Sequence, residues 1–168
     1  MTIAELLTKY NITPSPTYTG DVDGRDFILA VDCSEDGSGE VTTYAPVAVH
    51  VENAGAELSP ENSETNFLYE GASTLKKSTK RAFKVEGKRI IGDVFQDFCM
   101  SHAIKFGRGA AVQRGYVYFC ALTGVGESGT VSICVNKDGG AESGAAGEID
   151  IELTAIGTPD EYTYTVGA

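Results

Sequence analysis

The sequence predicts a mainly β protein: an antiparallel β-sandwich or barrel with one flanking α-helix and a long inter-strand loop. Three observations carry this. Six runs are rich in β-prone residues, most of them alternating apolar and polar side chains with period two, polar and Gly-containing stretches separate several of them, and one mid-chain segment repeats with helical period instead. The 168 residues are 42% hydrophobic and 22% charged, which fits a single folded domain over residues 1–168 and excludes wholesale disorder. The longest apolar stretch, near Ala45–Val49, is far short of the roughly 20 residues of a membrane span, so no membrane anchor is expected. The first ten residues lack a basic leader and an apolar core, and no secretory signal is expected.

The elements follow in order. Thr2 and Glu5 form a capping-box pattern, and Ile3, Leu6, Leu7 and Tyr10 share one helical face; Pro14 and Pro16 end this helix. So short a helix is marginal alone and must dock, on this domain or on a neighbouring copy. Strands are predicted at Phe27–Asp32, Thr43–Val51, Thr79–Glu86, Gly115–Leu122, Thr130–Asn136 and Glu148–Ile156. The last alternates Ile149, Ile151 and Leu153 with Glu148, Asp150 and Glu152. A helix is predicted from about Gly92 to Ser101, with Ile91, Phe95, Phe98 and Cys99 on one face and Asp93 in its first turn. Asn53–Ser78 shows no clear period and is expected to be a long loop holding the apolar cluster Phe67, Leu68 and Tyr69.

Motifs that could carry chemistry dissolve in their contexts. Gly124-Val125-Gly126-Glu127-Ser128-Gly129 matches the dinucleotide fingerprint, but it joins two strands where the fingerprint must open a helix. Gly107-Arg108-Gly109 lacks the Gly-Lys-Ser/Thr ending of a phosphate loop. Cys99 and His102 make half a zinc site with no second close pair. Asp93 and Asp97 stand four apart with no nucleophile beside them, and fit a helix-dipole complement on a solvated face. Asn11-Ile12-Thr13 is a glycosylation sequon that matters only on a secretory route. Cys33, Cys99, Cys120 and Cys134 have no paired spacing and are expected to be reduced, with Cys120 and Cys134 packed inside strands. No catalytic residues, metal or cofactor are called for, and no enzymatic activity is expected.

Charge is the most informative property. The net charge of −11 argues against a general nucleic-acid binder. It divides into −11 over residues 1–75, +6 over residues 76–89 and −6 over residues 90–168. The basic segment, Lys76, Lys77, Lys80, Arg81, Lys84, Lys88 and Arg89 with Glu86 alone opposing it, is either a solvated strand face, half of a contact between copies, or a local nucleic-acid patch.

The runs FKVEGKRIIGDVFQDFCMSHAIKFGRG, YVYFCALTGVGESGTVSICVN and EIDIELTAIGTPDEY, in that order, resemble the tail tube proteins (major tail proteins) of long-tailed bacteriophages. The resemblance covers Leu58 to about Tyr162. It implies a β-sandwich that forms hexameric rings, stacked into a hollow tube around a tape measure protein and capped by tail-tip and tail-terminator proteins. DNA would pass through without specific binding. It implies a virion protein assembled in the host bacterial cytoplasm. It also implies that the loop 53–78 reaches the adjacent ring, and that terminal arms, 1–20 and 158–168, contact neighbouring subunits. On this reading Phe67, Leu68, Tyr69, Lys76, Lys77, Lys80 and Arg81 are candidate contacts between rings or subunits. Glu148, Asp150 and Glu152 are candidate lumen-facing residues, since a wall that lets DNA slide should not attract phosphate. A monomeric β-sandwich binding or decoration module of a virion, or the inner tube of a phage-derived injection particle, remain the alternatives.

Overall fold

Alternating sequence becomes sheet wherever a second strand can bury the apolar face, and every predicted strand finds such a partner. The computed structural model describes residues 1–165. Its strands are β1 (Phe27–Val31), β2 (Ala45–Pro46), β3 (Val51–Phe67), β4 (Gly71–Lys88), β5 (Gln113–Cys120), β6 (Val125–Asp138) and β7 (Glu148–Thr163). They form one antiparallel sheet in the order β2-β1-β5-β6-β7-β4-β3. Three helices accompany it: α1 (Ile3–Lys9), α2 (Val94–Cys99) and α3 (His102–Lys105). The mainly β, antiparallel fold predicted from periodicity is the one observed.

The two faces of the sheet are covered differently. One is apolar along its length: Leu29, Val31, Phe83, Val85, Tyr116, Val131, Ile133, Ile149, Ile151 and Leu153 pack under Phe95 and Cys99 of α2 and Ile104 of α3. The other is covered only over β1 and β5, where Ile3, Leu6 and Leu7 of α1 lie on Ile28, Ala30, Val117 and Phe119. Strand β1 is therefore buried on both faces and reads as a continuous apolar run, whereas β4 and β7 alternate. Each large side chain sealed in these clusters contributes about 1.5–3 kcal/mol of transfer free energy. The docking of α1 within its own subunit answers where that helix goes. Its capping box is intact, with the Thr2 hydroxyl accepting from Glu5 N–H and Glu5 accepting from Thr2 N–H.

Several boundaries differ from expectation, each for a local reason. The stretch 53–78 is not a loop: β3 and β4 pair continuously from Val51↔Gly87 to Phe67↔Gly71. Its Ser, Thr, Asn and Glu side chains are exposed on both faces, so no apolar alternation marks the strands. The predicted strand Thr43–Val51 shrinks to Ala45–Pro46, because Pro46 cannot extend a ladder and His50 adopts a left-handed backbone (φ 54°). The mid-chain helix is two: α2 ends at Cys99 and α3 starts after Ser101, and Asp93 is the cap of α2 rather than part of its first turn. Cys134, expected to be packed, is exposed on the uncovered face of β6. The arm expected from Thr158 begins inside β7, and residues 166–168 lie outside the described residues.

Candidate assembly surfaces

The first candidate surface is the hairpin made by β3 and β4. Pairing of β4 with β7 stops at Ala82↔Thr154, so Leu58–Phe67 and Gly71–Arg81 pair with each other beyond the body of the sheet. Ten residues at about 3.3 Å each give this ribbon a reach of about 33 Å. Gly71, at φ 79°, supplies the left-handed residue that closes the turn after Leu68, Tyr69 and Glu70. The tip is apolar and open to solvent: Phe67 is 49% exposed, Leu68 88%, Tyr69 94% and Leu75 69%. A two-stranded ribbon is marginal alone in water, and one displaying four large apolar side chains at its end is a candidate contact surface. The three predicted residues Phe67, Leu68 and Tyr69 are thus brought together at one point, joined by Leu75, which the sequence reading missed. Register places Leu75 opposite Ser63, on the same ribbon face as Phe67.

The basic residues separate by role. Arg81 faces inward at the root of the ribbon. Its Nε donates to Glu127 Oε1 at 2.5 Å and its Nη2 to Oε2 at 3.0 Å, while the Tyr116 hydroxyl donates to the same carboxylate at 3.2 Å. The guanidinium also lies over the Phe83 and Tyr118 rings, 5.2 and 5.1 Å from their centroids. Arg81, one of the candidate contact residues, is paired with Glu127 within its own chain. Lys80 pairs with Glu61 across the ribbon at 3.2 Å, Lys84 with Glu86, Lys88 with Glu148, and Arg89 with Asp97. Lys77 is the bulged residue of β4, between Ser78 opposite Glu61 and Lys76 opposite Asn62, and neither lysine pairs with a carboxylate among the described residues.

The second candidate surface is the uncovered sheet face. Cross-strand register sets Glu148 beside Lys88, Asp150 beside Glu86 and Glu152 beside Lys84, so the three predicted residues do share one face. That face is not uniformly acidic. Lys88 and Lys137 both reach Glu148 at 3.2 Å and hold its carboxyl below the usual glutamate range. Lys84 does the same to Glu86 from 2.9 Å, aided by the Asn53 amide. Glu86, Glu148, Asp150 and Glu152 outnumber Lys84, Lys88 and Lys137, leaving a mildly negative, charge-mosaic wall. All these pairs are solvent-exposed and individually weak.

Two buried polar side chains, invisible as sites in the sequence, hold these surfaces in place. Gln96 of α2 accepts from Ile90 N–H and donates to the carbonyls of Val49 and Lys88, pinning the helix to the base of the hairpin. Arg114 of β5 donates to the carbonyls of Ala111, Gln113 and Glu35, and packs over the Phe98 ring. The fingerprint-like glycines also have a structural use. A Cβ on Gly126 would lie 2.1 Å from the Tyr118 carbonyl oxygen and 2.4 Å from Phe119 Cα, so only glycine allows β6 to cross β5 there.

With the geometry established, similarity to known proteins can be placed. No protein-family model matches the sequence, and no curated protein matches it. The fold, an antiparallel sheet with helices on its faces, is shared with solved chains of one kind of particle. One comes from the virion of a native gene transfer agent particle: TM-score 0.59 and 12% identity, covering 85% of this chain and all of that one. Another comes from the tail of an empty gene transfer agent particle, solved by helical refinement with C6 symmetry: TM-score 0.58 and 15% identity, covering 86% and 100%. Among the described residues no helix is long and apolar enough to cross a membrane.

Proposed function

We propose that this protein is a structural tail tube subunit, six copies of which form a ring, and that the rings stack into the conduit of a phage or phage-like particle. The observation that carries the reading is the hairpin: a ribbon about 33 Å long that gathers four exposed apolar side chains, Phe67, Leu68, Tyr69 and Leu75, at its projecting end. It is a projection built to reach another copy. Phe67, Leu68, Tyr69 and Leu75 are its apolar anchor, and Lys76, Lys77 and Lys80 its charged flank. The shared fold with a chain from a C6-symmetric tail supports sixfold assembly.

In this assembly the mosaic face of Glu148, Asp150 and Glu152 lines the lumen, occupied first by a tape measure protein and then by DNA in transit. Its slight negative excess, screened over about 8 Å at physiological salt, keeps phosphates from settling on the wall without expelling them. Tail-tip and tail-terminator proteins cap the tube. The subunit is not an enzyme; it assembles in the host bacterial cytoplasm and ends in the virion. The same surfaces serve a phage tail or a phage-derived injection particle.

Negative-stain microscopy with sedimentation velocity tests the proposal. Rings and tubes of uniform diameter are expected at high protein concentration or with tail-tip nucleators. Monomers alone under both conditions would refute it and favour a monomeric virion module.

A further inference from the structure

A cleft of about 920 Å³ opens between the two ends of the sheet. One wall is the start of β1, Asp26–Leu29, with Pro46 and Val47; the other is the outer edge of β3 from Val51 to Ala56. On the β1 wall the Leu29 carbonyl already accepts from Val47 N–H at 2.8 Å, whereas β3 pairs only with β4 on its inner side, so the β3 wall faces the cleft as a strand edge. Ala54, Gly55 and Ala56 leave the β3 edge uncrowded, while Leu7, Phe27 and Tyr118 make part of the lining apolar. Such a site takes a partly apolar segment that packs on its lining and can meet the β3 edge.

Resting on the tail tube reading, we infer that this cleft is the receptor for the hairpin tip, Phe67–Leu75, of a second copy of the chain. The tip projects its apolar side chains away from the body, with Leu68 and Tyr69 in the turn and Phe67 and Leu75 on the strands that flank it. It cannot fill its own cleft: eleven residues of paired strand separate Ala56 from Phe67, about 36 Å at 3.3 Å per residue. The contact is therefore between copies, head to tail, and leaves each copy with one free tip and one free cleft, which is the condition for indefinite stacking. Charge sets the register. Glu52, the bulged residue of β3, and Asp26 line the cleft, while Asp23 beside them is already paired with Arg25. Lys76 and Lys77 follow Leu75 directly and are placed to meet Glu52 and Asp26 once Leu75 is seated. Glu64 and Glu70, also on the hairpin, make the opposite register repulsive at the same rim.

The test is a disulfide trap in the full chain, with the exposed Cys134 first replaced by Ser. Tyr69→Cys combined with Ala56→Cys is expected, on oxidation, to give a ladder of dimers, trimers and larger species on non-reducing gels; either substitution alone gives none of the ladder. Hydrogen exchange on the unmodified protein is the second readout, with amides of residues 51–56 gaining at least tenfold protection on assembly. Tubes that form in micrographs with neither ladder nor added protection would overturn the cleft assignment while leaving the tube reading intact. A ladder without tubes would support the contact and remove the tube. Charge exchange gives the register: Lys76→Glu with Lys77→Glu blocks stacking, and adding Asp26→Lys with Glu52→Lys restores it. Failure of that rescue, with all variants folded by circular dichroism, would refute the assigned register.

Discussion

The root of the hairpin offers the sharpest energetic prediction. Arg81→Met removes the guanidinium but keeps an apolar stem over Phe83 and Tyr118. It strands the Glu127 carboxylate, whose side chain is 23% exposed, opposite a residue that was itself 11% exposed. Breaking a buried pair by deleting one partner costs about 3–5 kcal/mol, and the residual solvent access of Glu127 lowers this to about 2–4 kcal/mol. Part is returned by the Tyr116 hydroxyl, which still donates to Glu127. At about 2–4 °C per kcal/mol for a domain of this size, the loss appears as a fall of about 4–16 °C in Tm by circular dichroism of the protein. The double variant Arg81→Met with Glu127→Leu removes the stranded charge as well. Because replacing a buried ion pair with apolar groups is often neutral, it should recover at least half of the loss. The Arg81 variant melting within 1 °C of the parent, or the double variant melting lower still, would refute the claim that this pair clamps the ribbon to the body.

Other outcomes follow from the same geometry. Gln96→Leu leaves Ile90 N–H and the carbonyls of Val49 and Lys88 without their partner and should cost about 2–4 kcal/mol in urea unfolding, with an unchanged m-value. Gly126→Ala forces a Cβ against the β5 backbone and should cost at least as much; substitution of the open Gly140 should cost under 1 kcal/mol by the same measurement. Asp97, Glu86 and Glu148 have carboxyls held below their ordinary values, first by hydrogen bonds from Arg89, Lys84 and Lys88 respectively. A depressed folded-state value means their stabilisation is full above about pH 4–4.5 and lost as pH falls through the lowered values. Stability measured against pH should be flat from pH 5 to 7 and decline below about 4, and a decline starting above pH 6 would contradict this.

What was legible in the sequence followed the physics of burial. Strands β1, β5, β6 and β7 bury at least one face, so their alternation or continuous apolarity could be read, and α1 announced itself through its capping box. The hairpin was illegible for the opposite reason. Its outer half buries neither face within the subunit, so selection for a core left no period, and a run rich in Ser, Thr, Asn and Glu looks like loop. Only the cluster Phe67–Tyr69 hinted at its use. Leu75 escaped notice because register, not sequence distance, places it on the ribbon face that Phe67 shares. The carboxylates Glu148, Asp150 and Glu152 were correctly set on one face by period two, but their interleaving with Lys84 and Lys88 needed the β4–β7 register.

The same register changes what the charge partition means. A +6 segment in an acidic chain suggests a basic patch aimed outward. In the folded subunit it is strand β4 and the residue after it, lying between β3, which carries Glu52, Glu57, Glu61 and Glu64, and β7, which carries Glu148, Asp150 and Glu152. Lys80, Arg81, Lys84, Lys88 and Arg89 each pair with a carboxylate of this chain. Most of the segment is therefore neutralised within the chain: Lys80–Glu61 and Lys88–Glu148 cross to the neighbouring strands, Lys84–Glu86 lies along β4, and Arg81 and Arg89 reach β6 and α2. Lys76 and Lys77 stand apart: they lie farther out on the ribbon, past Lys80 and Arg81, and neither reaches a carboxylate among the described residues. Within this segment the two cations without an ion pair thus lie on the part of the chain that leaves the body, near the apolar tip. A partner recognised there must combine an apolar slot with a carboxylate rim. The cleft lined by Asp26 and Glu52 has both, and the subunit carries it at the far end of the same strand.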